Sequence, residues 1–110
     1  PMEQMDVPEW GSGKEPLIIY WRPLTLADQS AIYRADRDGK IPQGDVVVAR
    51  CLIRKALDAS GKNLFDAMDE KALRFEVDAK VAGRISNAIL YGAGQAPKPI
   101  DDQVDDEKNA

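Results

Sequence analysis

A chain that makes or breaks bonds needs a nucleophile, a base or a metal, and this one offers few residues for any of those roles. No histidine occurs among its 110 residues. That removes the commonest general base, the commonest transition-metal ligand and every His-dependent triad. The one cysteine, Cys51, falls on the apolar arc of a predicted helix and reads as a buried structural thiol. Arg34 to Asp45 imitates a calcium loop, with Asp36, Asp38, Gly39 and Ile41 at fitting places. Three positions fail. Arg34 puts a cation where the first oxygen ligand belongs, Pro42 takes the ninth place, and Asp45 is short for the bidentate twelfth. The stretch reads as an Asp-Gly turn between helices. Gly11-Ser12-Gly13-Lys14 has no helix after it, and Asp58-Ala59-Ser60-Gly61-Lys62-Asn63 follows a helix and lacks paired glycines. Both are turns rather than phosphate loops. The carboxylate pairs Asp66/Asp69 and Asp101/Asp102 lie at a helix start and in the C-terminal segment, where capping and solubility account for them. The chain is expected to be no enzyme and to hold no cofactor or metal.

Elements that position these residues follow from the pattern. Pro1 precedes Met2 and is expected to be a cloning remnant outside the fold. Met5–Trp10 and Leu17–Trp21 read as the strands of a hairpin around the turn-rich Gly11–Pro16. Two strands are marginal in water, so the hairpin must lie on helices or on another chain. Thr25 is a predicted N-cap with Asp28 at N3, opening a helix that runs to about Arg37. A second helix, about Asp45 to Ala59, is apolar over most of its circumference, with Arg50, Arg54 and Asp58 as its polar strip and Lys55 beside them. It is expected to be the buried spine. Asp66 caps a short third helix through about Leu73, with Asp69 at N3 and Phe65 placed for a hydrophobic staple. A fourth helix spans about Glu76 to Tyr91, supported by a Glu76–Lys80 pair and closed by Gly92.

The expected fold is mainly α (α+β): one domain over residues 1–92, with an N-terminal hairpin on three to four helices, and a disordered acidic tail over 93–110. Nineteen acids against fifteen basic residues leave a net charge of −4, and five acids against two lysines put −3 of it beyond residue 92. That balance disfavours nucleic acid as a partner. The longest apolar run, Val46–Ala49, is cut by Arg50, so no membrane span is expected. A single cysteine and no visible signal peptide suit a cytosolic chain. Of Trp10 and Trp21, at least one is expected to seal the hairpin on the helices. If the two lie on opposite faces, one is left partly exposed as a partner anchor. The second helix has more apolar surface than small neighbours easily cover. Trp10, Trp21, Val47 and Val48 are therefore the candidate partner-binding residues, with plain core packing as the competing reading.

Val7-Pro8-Glu9-Trp10-Gly11 is followed by Arg22-Pro23-Leu24-Thr25, then by Asp58-Ala59-Ser60-Gly61-Lys62-Asn63-Leu64-Phe65, Leu73, and a closing helix through Val81–Leu90. This order of motifs is similar to that of tail assembly chaperones of long-tailed bacteriophages and prophages. The likeness runs over about residues 5–92. It implies a non-enzymatic protein of the host cytoplasm that binds and solubilises the tape-measure protein, helps recruit major tail protein, and is absent from the mature virion. A homo-oligomer and a frameshifted longer product stay open. The alternatives are another small phage adaptor such as a head–tail connector, which would remain in the particle, a degenerate EF-hand-like calcium binder, and last a helix-turn-helix, against which Pro42 and the acid excess both argue.

Overall fold

In the computed structural model, which describes residues 1–92, an N-terminal hairpin lies on four helices. Strand β1 (Glu3–Ser12) pairs antiparallel with β2 (Glu15–Trp21). The ladder runs in register from Glu3↔Trp21 to Val7↔Leu17 and slips before Ser12↔Glu15. Pro8 sits where it slips, and proline has no amide to give a ladder. Gly11 is obligatory there, since a Cβ would collide with the Glu15 carbonyl and Pro16 Cα. One face of the hairpin is apolar and hidden: Val7, Ile19 and Trp21 are buried among Ile32, Leu52, Ile85 and Ile89 of the helices.

Helix α1 (Leu26–Tyr33) begins with the expected capping box. Asp28 N–H donates to Thr25 Oγ1 (3.1 Å) and Thr25 N–H to Asp28 Oδ2 (2.9 Å). It ends at Tyr33, four residues before the predicted Arg37. The reason is Arg50, whose Nη1 donates to the carbonyls of Ile32 (3.1 Å) and Arg34 (2.8 Å) and so satisfies acceptors that another helical turn would have used. The chain then turns through Asp36–Lys40. Asp36 Oδ1 accepts from the amides of Asp38 and Lys40, both at 2.9 Å.

Helix α2 (Gly44–Lys55) packs against α1, α3 (Glu70–Phe75) and α4 (Ala79–Tyr91), as the predicted spine should. It stops short of the predicted Ala59. Ala56 and Leu57 are extended instead, and Leu57 exchanges both backbone hydrogen bonds with Tyr20 (2.9 and 2.7 Å) at the free edge of β2. A short apolar run is compatible with either period, and the unpaired strand edge decided this one. The 3₁₀ turn Ala67–Asp69 carries the expected Asp66/Asp69 capping box and leads into α3. Glu76 closes α3 rather than opening α4, so the predicted Glu76–Lys80 helical pair does not form. Asp78 caps α4, accepting from Lys80 N–H at 2.7 Å. Gly92 closes that helix as expected. The disordered tail expected over 93–110 lies outside the described residues.

An ion cluster locks the layers. The Asp28 carboxylate accepts from Lys55 Nζ (Oδ2, 2.8 Å) and Arg54 Nε (Oδ1, 2.8 Å), while Lys55 Nζ also donates to the Pro23 carbonyl (3.3 Å). Both Asp28 and Lys55 are buried. The start of α1, the β2–α1 link and the end of α2 thus meet on one carboxylate. Burial by itself pushes Asp28 up. The bonds from Lys55, the Thr25 amide and Arg54 outweigh it and hold the carboxyl well below the usual aspartate range. A carboxyl depressed on folding contributes stability that is complete above its unfolded pKa, ~3.9, and is lost as pH falls through the folded value. Asp28→Asn keeps an acceptor for Thr25 but strands the Lys55 charge. Urea denaturation at neutral pH should show a loss of about 3–5 kcal/mol, shrinking as the pH is lowered below about 4. A loss under about 1 kcal/mol would mean that the cluster behaves like a surface pair.

Candidate functional site

The end of β1 turns away from the core and carries Trp10 to the rim of an open groove of about 510 Å³. Trp10 and Leu17 of the hairpin, Phe65 of the loop before the 3₁₀ turn, Leu73 of α3 and Val77 beyond it supply the apolar lining. Trp10 and Phe65 meet edge to face, with centroids 6.2 Å apart and planes at 80°. This is the favourable arrangement for two rings with negative faces and positive edges. Phe65, expected to staple the turn that follows, thus also meets the hairpin.

Local sequence fixes each wall. Ahead of Phe65, Asp58 Oδ1 gathers the Ser60 amide (2.8 Å), the Ser60 hydroxyl (2.6 Å) and the Lys62 amide (3.0 Å). Gly61 closes that turn at φ +88°, where a side chain is strained, and a Cβ would also lie 3.0 Å from Arg22 Nη2. Leu64 N–H then donates to the Ala56 carbonyl at 3.0 Å, which fixes where Phe65 emerges. On the other wall Glu9 receives Arg84 of α4 through two bonds of 2.7 Å. This fork draws the Glu9 carboxyl down to about 2, chiefly through the guanidinium hydrogen bonds. Both side chains are half exposed, so the pair orients β1 beside α4 rather than contributing much stability.

The four candidate partner residues separate. Trp10 is half-buried at the groove. Trp21 is 1% exposed and belongs to the core, so its ring offers no surface to a partner. Its indole N–H has no hydrogen-bond partner among the described residues. Leaving that donor unmet costs about 1–3 kcal/mol, less than the roughly 4–6 kcal/mol from burying so large a ring. Val47 and Val48 are half-buried on α2, pack against the core, and do not line the groove. Sequence reading missed Leu17, Leu73, Val77 and the Glu9–Arg84 fork as parts of the site. Phe65 alone carried a signal, its place before the Asp66 cap.

The remaining reactive groups are committed elsewhere. Burial pushes the Cys51 thiol up to about 12, against the opposing effect of Ser86, so it is no thiolate at neutral pH. In the imitation calcium loop, Asp36 is spent on loop amides and Asp45 pairs with Arg74 at 2.8 Å. Among the described residues no three His, Cys, Asp or Glu gather as a metal site, and no helix is long and apolar enough to cross a membrane. What the groove offers, among the described residues, is apolar lining with the Glu9 carboxylate at its side.

Compared with protein-family models, with curated proteins and with solved structures, the chain matches none.

The two indoles should be separable by fluorescence. Iodide should quench only part of the emission, and Trp10→Phe should abolish the quenchable, red-shifted part while leaving the blue-shifted Trp21 emission intact. Equal quenching of both indoles would contradict the placement of Trp21 in the core.

Proposed function

We propose that this chain is a non-enzymatic tail assembly chaperone of a long-tailed phage or prophage. It holds the tape-measure protein soluble in the host cytoplasm, helps recruit major tail protein, and leaves before the particle is complete. The reading rests on the motif order that resembles that family, and one observation carries it further: the motif residues converge. Trp10 of the first motif touches Phe65 of the third, Arg22 of the second lies over Gly61 of the third, and Glu9 grips Arg84 of the closing helix. Of these, Glu9, Trp10 and Phe65 line the groove.

That groove suits one apolar stripe of an amphipathic helix, the kind of segment a tape-measure protein is built from. Trp10 serves as the aromatic anchor and the Glu9–Arg84 pair as part of the polar rim. Binding of this kind needs apolar area and no chemistry, in keeping with an absent histidine and a buried thiol.

Co-expression with the tape-measure protein from the same phage tests it. The account expects that protein in the soluble fraction only when this chain is present, and a complex weakened roughly 30-fold by Trp10→Ala, the ~2 kcal/mol of an interface hot spot. It also expects no copies in purified virions. Equal solubility without the chain would refute the chaperone reading, and several copies in each virion would favour a connector.

A further inference from the structure

The second half of β1 stands outside the ladder. Between Val7↔Leu17 and Ser12↔Glu15, the residues Pro8, Glu9, Trp10 and Gly11 of β1 face Pro16 alone on β2. Pro8 and Pro16 carry no amide hydrogen, so neither can donate across this stretch. Its ends are pinned. Val7 is buried, and Gly11 lies so close to the Glu15 carbonyl that no Cβ fits. Between those ends the stretch has two side-chain anchors among the described residues. Trp10 packs at the edge of the core and against Phe65. Glu9 makes the stretch's only side-chain hydrogen bonds, both with Arg84 of α4.

The two anchors differ in kind. Apolar contact gives Trp10 area without direction, and an indole can slide over such neighbours. The fork is directional: two bonds of 2.7 Å fix the distance and plane of the Glu9 carboxylate against α4. Trp10 is the next residue, so the fork sets the backbone from which the indole reaches Phe65. Arg84 itself does not line the groove. Both side chains of the pair are 44% exposed, which keeps their share of global stability small. Placing a short stretch of chain asks less than holding the whole fold, and a weak directional contact is enough to decide it.

We propose that Pro8–Gly11 is a flap on the apolar groove and the Glu9–Arg84 fork its latch, which makes Arg84 a positioning residue for client binding. Latched, the flap holds Trp10 edge to face with Phe65, so the groove has its aromatic rim before a client arrives. Unlatched, the indole is free to leave Phe65, and only the fraction of molecules in which it returns can bind. Apparent affinity falls by that fraction, with no contact between Arg84 and the client. The helical client rests on the function proposed above, whereas the latch rests on the geometry.

Ring-to-ring NOEs between Trp10 and Phe65, read by NMR on the full chain, test the latch without a client. Arg84→Gln should weaken them and shift the Trp10 indole N–H signal, while the Trp21 indole signal and the urea midpoint stay nearly unchanged. Glu9→Gln should do the same from the other side. The double variant should be no worse than either single one, as two residues acting through one contact require. A helical tape-measure segment should bind Arg84→Gln about fivefold more weakly, the scale that an exposed ion pair can set. Unchanged Trp10–Phe65 NOEs in Arg84→Gln would overturn the latch, as would additive losses in the double variant. Lost NOEs with undiminished binding would overturn the positioning role of Arg84. If the NOEs respond as stated and the unsubstituted chain binds no segment, the latch stands and the chaperone reading fails.

Discussion

A two-stranded hairpin has one apolar face and cannot hide it alone, and most of this molecule answers that constraint. Val7, Ile19 and Trp21 have to be covered, and the helices that cover them must be held at one distance and angle. Apolar packing supplies the area but little direction. Direction comes from ions: Asp28 ties the link after β2 and the first turn of α1 to the end of α2, and Glu9 ties β1 to α4. The slip in the ladder at Pro8 then shapes the groove. It releases the last part of β1 from the register that buries Val7 and sends Trp10 to the rim, against Phe65.

Local signals in the sequence were reliable where the physics is local. Thr25 with Asp28, and Asp66 with Asp69, form the capping boxes their spacing predicts, and the hairpin lies where β-branched and aromatic residues cluster. Ala56 and Leu57 show the limit. Their apolar character extends a helical pattern, but the open edge of β2 offers two backbone hydrogen bonds, and no local pattern reveals an edge. Asp28 was legible as a cap and illegible as the partner of Arg54 and Lys55. The Glu9–Arg84 fork joins residues 75 apart and leaves no trace in either neighbourhood.

The candidate site was half legible for the same reason. Trp10 and Trp21 are alike in the sequence, both aromatic residues of one hairpin. Register and the bulge assign Trp21 to the core and leave Trp10 half-buried at its edge, in the groove. The apolar excess of α2 suggested that Val47 and Val48 meet another chain; they are half-buried, pack against the core and lie outside the groove. An apolar groove lies between the hairpin and α3. It is made of residues from four separate stretches of chain, which only tertiary structure brings together.

Hydrogen–deuterium exchange on the chain with and without a helical tape-measure segment tests the central claim most directly. The account predicts slowed exchange concentrated in Glu9–Gly11, around Phe65 and across Leu73–Val77, with α2 around Val47 and Val48 unchanged. Protection confined to α2, or no protection in the presence of saturating segment, would contradict the claim that this groove is where a client binds.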